Sequence, residues 1–176
     1  MRRKILVFVL FFLFGALSLS YAGRVIEGLV FKVVDGDTMY VRTSNQTILK
    51  VRLAGVDAPE RSVVNRKTGK VIHKGQPFAE DARDLLVRKV LTTTVKIETY
   101  GTDRYRRILG FVFTRDGENV NVTLVREGLA VPYYAKDYEK YRDELYRALD
   151  SAKRFKRGMW ILDEVVTPSQ FRKKFK

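Results

Sequence analysis

The chain contains no cysteine. No disulfide can staple it, so a hydrophobic core or a bound metal has to hold the fold together. Histidine is nearly absent as well: His73 is the only one, and it falls in a basic, aperiodic stretch. With no thiol and one histidine placed there, neither a Ser/His nor a Cys/His nucleophile scheme is available. Acidic residues are scarce against basic ones, 20 against 34. That imbalance predicts a polyanionic partner, nucleic acid first and an anionic membrane or wall polymer second. It does not predict chemistry, because a basic surface also keeps a protein soluble. Internal repeats, heptad arrays and low-complexity tracts are missing. The apolar run from Ile5 to Leu17 is shorter than the ~20 residues of a comfortable membrane span.

That run follows Met1, Arg2, Arg3 and Lys4 and precedes Ser18 to Ala22, with Ser20 and Ala22 at small-residue positions. A basic start, a short apolar centre and a small-x-small exit predict a secretory signal peptide over residues 1–22. The chain is then exported, whether secreted, periplasmic or on the cell surface. It stays membrane-anchored if the signal is not cleaved. Setting Arg2, Arg3 and Lys4 aside leaves 31 basic residues against 20 acidic ones, a net charge of +11. The remainder is the size of one domain, expected over residues 23–163, followed by a basic tail over residues 164–176 that reads as disordered from Arg172 onward.

Strands are expected from Val25 to Val34 and Thr38 to Arg42, separated by an Asp35-Gly36-Asp37 turn, and from Thr47 to Leu53. Arg61 to Lys74 has no sustained period and reads as a basic loop, in which Arg66, Lys67, Lys70 and Lys74 either guide phosphates or simply face solvent. Pro77 is expected to open a helix with Phe78, Ala82, Leu85 and Leu86 on one face. Thr92 to Thr99 and Ile108 to Phe113 are two more strands. Asn121 is expected to cap a short helix through Arg126 that stops at Gly128. A longer helix from about Tyr138 to Arg157 carries Tyr141, Leu145, Ala148, Leu149, Ala152 and Phe155 on its apolar face. Trp160 follows Gly158 and is expected to pack in the core. Five strands with a helix after the third suit an α+β, mainly β, domain: a five-stranded OB-type barrel with about three helices.

The chemistry sits in two acidic turns, Val34-Asp35-Gly36-Asp37-Thr38 and Arg52-Leu53-Ala54-Gly55-Val56-Asp57-Ala58-Pro59-Glu60. Hard divalent cations want several oxygen ligands. Asp37 and Asp57 lie at the ends of neighbouring strands and can face one ion, with the Ala58 carbonyl as a further donor. Few protein ligands leave an open site. Asp35 is either a group that orients Asp37 or Thr38, or an ordinary turn acid.

These two stretches resemble the signature blocks of the staphylococcal nuclease (thermonuclease) family. Asp103-Arg104-Tyr105-Arg106-Arg107-Ile108-Leu109-Gly110 is similar to that family's third block. Val120-Asn121 through Gly128-Leu129-Ala130 resembles its next helix and turn, and Gly158-Met159-Trp160 its closing element. The resemblance runs in one order from about Val25 to Trp160. It implies that Asp37, Asp57 and the Ala58 carbonyl bind Ca2+. It further implies that Glu60 is the general base or orients the attacking water, that Arg52 and Arg107 bracket the phosphate, and that Tyr105 hydrogen-bonds a substrate phosphate. The implied reaction is hydrolysis of DNA and RNA phosphodiesters, single strands preferred, with the 5′-oxygen leaving and a 3′-phosphate remaining. No obligate protein partner is implied, and a monomer is expected.

Two departures from the family pattern bear on this. Arg106 stands where the family usually has Gly, which leaves Arg106 as a competitor of Arg107 for the phosphate. The nucleotide-stacking tyrosine falls on Tyr133 or Tyr134, and Tyr134 is favoured. The rival reading is a non-catalytic OB-fold module that binds single-stranded nucleic acid by charge and stacking. The intact set of Asp37, Arg52, Asp57, Glu60 and Arg107 argues for the enzyme. A surface adhesin for anionic polymers is a third reading, and it leaves the paired acidic turns unexplained.

Overall fold

A computed structural model describes residues 24–133 and 135–174; the expected signal segment 1–22 lies outside the described residues, and so does Tyr134. The strands are β1 (Val25–Val33), β2 (Thr38–Thr43), β3 (Ile48–Leu53), β4 (Val56–Asp57), β5 (Val63–Val64), β6 (Val71–His73), β7 (Thr94–Thr102), β8 (Ile108–Phe113) and β9 (Val131–Pro132). The helices are α1 (Ala79–Val90), α2 (Val120–Arg126), α3 (Glu139–Arg154) and α4 (Pro168–Lys174). Five strands close a barrel in the order β1-β2-β3-β8-β7. Every pairing is antiparallel except β3 with β8, which are parallel. With α1 inserted after the third barrel strand, this is the expected OB-type barrel, with one α-helix more than expected.

Alternation along the strands builds the core. Val30, Met39, Val41, Val51, Leu53, Val95, Ile97 and Phe111 are fully buried; the neighbours of Val51, Val95 and Ile97 are more exposed, as the period-2 pleat requires, whereas β8 is buried on both faces, with Val112 at 0% exposure beside Phe111. Helix α1 packs Ala82, Leu85, Leu86 and Val90 against the same cluster. Its first turn holds Glu80 and Asp81 and its last Arg88 and Lys89, the arrangement that complements the helix dipole. The helix does not begin at Pro77. Phe78 adopts φ 64°, a left-handed conformation that interrupts the helical run, and regular helix starts at Ala79.

The cap of α2 also differs from expectation. Asn119 is the capping residue, accepting from the backbone N–H groups of Asn121 and Val122. Asn121 lies inside the helix and is fully buried. Its side-chain oxygen accepts from Val112 N (3.0 Å), and its amide donates to Ala54 O (2.7 Å) and Gly110 O (3.2 Å). It therefore ties α2 to β8 and to the turn that follows β3. Asn121→Ala removes the side-chain partner of Val112 N and Ala54 O, each at a cost of roughly 1–3 kcal/mol, while Gly110 O keeps its bond from Ala54 N. The expected loss is about 3 kcal/mol in unfolding free energy, read by urea titration; a loss within ~0.5 kcal/mol would remove the residue from the list of structural ties.

Helix α3 buries Tyr141, Leu145, Ala148 and Ala152. Phe155, assigned to the same face, is exposed because the helix has ended at Arg154. Lys156, at φ 51°, then turns the chain away. Glu98 on β7 accepts from the Tyr100 and Tyr141 hydroxyls, both at 2.6 Å, and from Lys140 at 2.9 Å. Burial works against its charge, yet these donors hold its carboxyl below the usual glutamate range. Beyond α3 the Gly158 turn crosses the Gly128 turn so closely that Met159 N donates to Gly128 O at 2.9 Å. A Cβ on Gly128 would lie 2.0 Å from Arg157 O, so only glycine permits this crossing. Trp160 packs against it, half-buried, with the Lys153 ammonium 4.8 Å from its ring centre.

Two expected irregular segments are ordered. The basic stretch contains a short hairpin in which β5 pairs with β6. The tail forms α4. Its start has reciprocal capping: Gln170 N donates to Thr167 Oγ1 (3.3 Å), and Thr167 N donates to Gln170 Oε1 (2.8 Å). Pro168 occupies the first helical position, where its missing N–H removes no bond.

Candidate active site

The first acidic turn is built by its own side chains. Asp35 Oδ1 accepts from Asp37 N at 3.1 Å, and Thr38 Oγ1 donates to Asp37 Oδ1 at 2.8 Å. Asp35 thus shapes the turn that aims Asp37, combining the two roles weighed for it. A Cβ on Gly36 would lie 2.7 Å from the Ala82 Cβ and 2.8 Å from the Ala58 Cβ, so glycine lets this turn press against both α1 and the second acidic turn. The Asp37 carbonyl accepts from Leu53 N at 2.8 Å, which fixes the turn to the end of β3. Asp57 comes from β4, held in place by antiparallel pairing with β9.

Arg52 joins the two turns. β2–β3 register pairs it with Thr38 and β3–β8 register pairs it with Leu109. Its Nη1 lies 2.8 Å from both Asp37 carboxylate oxygens, and its Nη2 lies 2.9 Å from Asp57 Oδ1. Asp37 and Asp57 are each only 5% exposed. Burial pushes the Asp37 carboxyl up to about 7 against the pull of Arg52, and the nearby Asp35 and Asp57 add to the rise. The Arg52 guanidinium therefore does not offset the burial of the Asp37 carboxylate. Ala58 follows Asp57 directly, and its N–H points at Asp37 Oδ2 (3.4 Å). Among the described residues no three His, Cys, Asp or Glu side chains gather at one point. Asp37, Asp57 and the Ala58 carbonyl would offer a cation hard oxygen donors only. That set suits a calcium-like cation bound openly and would not suit a soft metal.

Glu60 stands at the rim, its side chain 40% exposed. Its backbone is clamped on both sides by Gln76: Glu60 N donates to Gln76 Oε1 (3.0 Å), and Gln76 N donates to Glu60 O (2.7 Å). Arg61 next to it donates to Glu80 (2.8 Å) and to Val34 O (3.0 Å), locking the second turn to α1 and the first turn.

Arg107 reaches the same place from the loop before β8. Its Nε and Nη2 both lie 2.7 Å from Asp103 Oδ2, and its Nη1 approaches Thr38 Oγ1 at 3.4 Å. Asp103 also accepts from the backbone N–H groups of Tyr105 and Arg107. These donors outweigh burial and hold the Asp103 carboxyl below the usual aspartate range. Arg106 adopts φ 59°, so an arginine occupies a left-handed position that glycine takes without strain, at roughly 1–2 kcal/mol. Of the two neighbours, Arg107 lines the cleft and Arg106 does not. Tyr105 stands exposed at the edge with the Arg107 guanidinium 5.5 Å from its ring centre.

The cleft has a volume of about 670 Å³ and is lined by Asp37, Arg52, Ala58, Glu60, Tyr105 and Arg107, among others. Asp57 borders a neighbouring hollow of about 350 Å³ that it shares with Arg52 and Tyr133. Tyr134 lies outside the described residues, so of the two tyrosines only Tyr133 is located, beside this second hollow. The basic hairpin touches the cleft through Ser62 and Val63, and Arg66, Lys67, Lys70 and Lys74 are not part of its lining.

Three participants escaped the sequence reading. Asp103 was visible in its block but without a role. Gln76 sits in a stretch with no pattern. Arg172 was assigned to a disordered tail, although Thr167-Pro168-Ser169-Gln170 carries a legible helix start. Its guanidinium enters the cleft and meets Asp57 bidentately, 3.1 Å from Oδ1 and 2.7 Å from Oδ2; it also donates to Glu60 Oε1.

Comparison with known proteins agrees with this geometry. The family model described as "Staphylococcal nuclease homologue" matches residues 50–162. An uncharacterized endonuclease of Haemophilus influenzae is 32% identical over 175 residues, 99% of this chain and 88% of that protein. A probable endonuclease LCL3 of Komagataella phaffii is 32% identical over 141 residues, 77% of this chain and 58% of that protein. Endonuclease YhcR of Bacillus subtilis is 33% identical over 154 residues, 83% of this chain and 12% of that protein. The chain thus spans little more than half of the LCL3 relative and a small part of YhcR.

Proposed function

Because the chain belongs to the staphylococcal nuclease homologue family, we propose that it is a calcium-dependent endonuclease that hydrolyses phosphodiester bonds of DNA and RNA, leaving 3′-phosphate ends. One observation carries the reading: Arg52, Arg107, the buried Asp37 and the rim Glu60 line one open cleft, and Arg52 bridges from Asp37 to Asp57 at the adjoining hollow. The forks of Arg52 and Arg107 each match two phosphate oxygens, a geometry lysine does not reproduce. Asp103 and Thr38 hold the Arg107 fork in place before substrate arrives, so little reorganisation is needed as charge develops. Asp37, Asp57 and the Ala58 carbonyl would hold the cation. When bound there, calcium supplies positive charge to the phosphoryl oxygens and a site that orients water. Glu60 takes the proton of the attacking water, and its exposed position at the cleft mouth gives it access to that water. Tyr105 donates from the rim to a substrate phosphate, and Tyr133 or Tyr134 stacks on a base. Stacking needs an unpaired base, which favours single strands and frayed ends. The same reading has the protein exported by residues 1–22 and active as a monomer.

The test is a gel of heat-denatured DNA incubated with the purified protein in calcium, magnesium or chelator. Degradation with calcium alone, giving 3′-phosphorylated products, is expected. Cutting that persists in chelator would remove the metal from the mechanism. A salt-sensitive gel shift without cutting under any ion would favour the single-strand-binding module instead.

A further inference from the structure

The acids assigned to the cation and to the base are already occupied. Arg172 places one guanidinium nitrogen 2.7 Å from Asp57 Oδ2 and the other 3.1 Å from Asp57 Oδ1, and it also donates to Glu60. Arg52 takes the inner side of Asp57. Between them the two arginines engage Asp57 from both sides, and the Glu60 carboxylate is committed as an acceptor. In this arrangement Asp57 offers little to a divalent cation, and Glu60 is engaged where it would receive a proton.

This contact is made by a built element. Helix α4 has its own cap, formed by Thr167 and Gln170. The segment before it is fastened to the active-site turn by Gln76, whose side chain donates to Val166 O (2.8 Å) and accepts from Glu60 N (3.0 Å). Beneath it lies a largely apolar hollow of about 330 Å³ between Pro59, Pro77, Met159, Leu162 and Phe171, so the helix sits on the turn that carries Glu60 without filling the space under it. The Arg172 side chain is 43% exposed and its partner Asp57 7%, so solvent and salt reach the pair from the arginine side only.

We propose that α4 is a self-inhibitory cap: Arg172 stands in for the cation at Asp57 and Glu60, and cation binding and cap docking are mutually exclusive. The proposal rests on the cation reading of Asp37 and Asp57. Competition of this kind is reciprocal, so whatever factor the docked cap takes from cation affinity, the cation takes from cap docking. The protein is then held closed where calcium is scarce and opened where it is plentiful.

The experiment is calcium titration of the intact chain by calorimetry, followed in parallel by the emission of Trp160. That residue is the only tryptophan, and it lines one hollow together with Thr167 and Ser169 at the start of α4. Arg172→Gln is expected to bind calcium roughly ten-fold more tightly than the unaltered chain, as befits loss of a partly exposed multidentate ion pair. Gln170→Ala, which loosens the cap of α4 without touching the acids, should tighten binding in the same direction by a smaller factor. Calcium should shift Trp160 emission in the unaltered chain and much less in Arg172→Gln, where the helix is already released. Equal calcium affinity in all three proteins, or weaker affinity in Arg172→Gln, overturns the cap while leaving the cation site standing. Calcium binding to none of them overturns the cation site and the cap together.

Discussion

Glu60→Gln is expected to slow phosphodiester hydrolysis by ~10²–10³-fold while leaving nucleic-acid affinity within about two-fold, the magnitude typical of losing a positioned general base. The substitution keeps the shape of the side chain and the Gln76 clamp on its backbone, which involves only main-chain atoms of residue 60. It removes the carboxylate that takes the proton. It leaves the Arg52 and Arg107 forks and the Asp57 grip on Arg172 in place and takes only the charge from the Glu60 contact with Arg172, so substrate binding is expected to change little. Single-turnover cleavage and fluorescence anisotropy with the same oligonucleotide separate the two quantities. Cleavage at the unaltered rate would take Glu60 out of the base role, and the proton acceptor would then have to be water or substrate.

Arg52→Ala is expected to fail in a different way, through stability as well as rate. The guanidinium is the shared partner of Asp37 and Asp57, both nearly buried. Removing one member of such a group leaves carboxylates with no nearby counter-charge on their inner side, typically at a cost of about 3–5 kcal/mol. Urea unfolding in chelator should show a loss of that size. Added calcium should recover part of it, since a cation at Asp37 and Asp57 supplies the missing charge and binds only the folded state. Arg52→Lys should fall between, because one ammonium cannot span two carboxylates. Loss of stability that calcium does not restore would argue against the two acids as cation ligands; unchanged stability in chelator would show that the Arg52 bridge matters little to the fold.

The arrangement around Arg52 bears on the proposal that one site takes both an anion and a cation. Asp37 and Asp57 hold the fork from its inner edge, and burial still raises the Asp37 carboxyl despite the pull of Arg52. On that proposal, phosphate and calcium would each relieve part of the other's unfavourable field. Arg172 adds a second guanidinium at Asp57 from within the chain.

Much of the fold was legible because the signals were local. Period-2 alternation marks the end of β3, where Val51 and Leu53 are buried and Lys50 and Arg52 are only half-buried, and the helical stripe of Ala82, Leu85 and Leu86 marks α1. Those patterns follow from which side of a strand or helix each residue occupies, and they survive any tertiary arrangement. The misreadings came where two local answers were equally good. Asn119 and Asn121 both suit a helix cap, and only the packing of α2 on β8 makes one the cap and the other a buried tie. Pro77 suits a first helical turn, and the left-handed Phe78 moves the start past it. The C-terminal tail looked disordered because its basic residues dominated the composition, whereas its order comes from contact with a turn more than a hundred positions earlier.

The sequence by itself determined the alternation that makes a closed barrel, the excess of positive charge, and the two acidic turns with their intervening arginine, because pattern, charge and turn chemistry are properties of neighbouring residues. Tertiary structure alone decided that Arg52 bridges Asp37 and Asp57, that Asp103 aims Arg107, and that Arg172 closes over Asp57 and Glu60. Each of these is set by strand register or by the docking of a distant helix, and the energy of such contacts depends on burial and distance that no local pattern encodes.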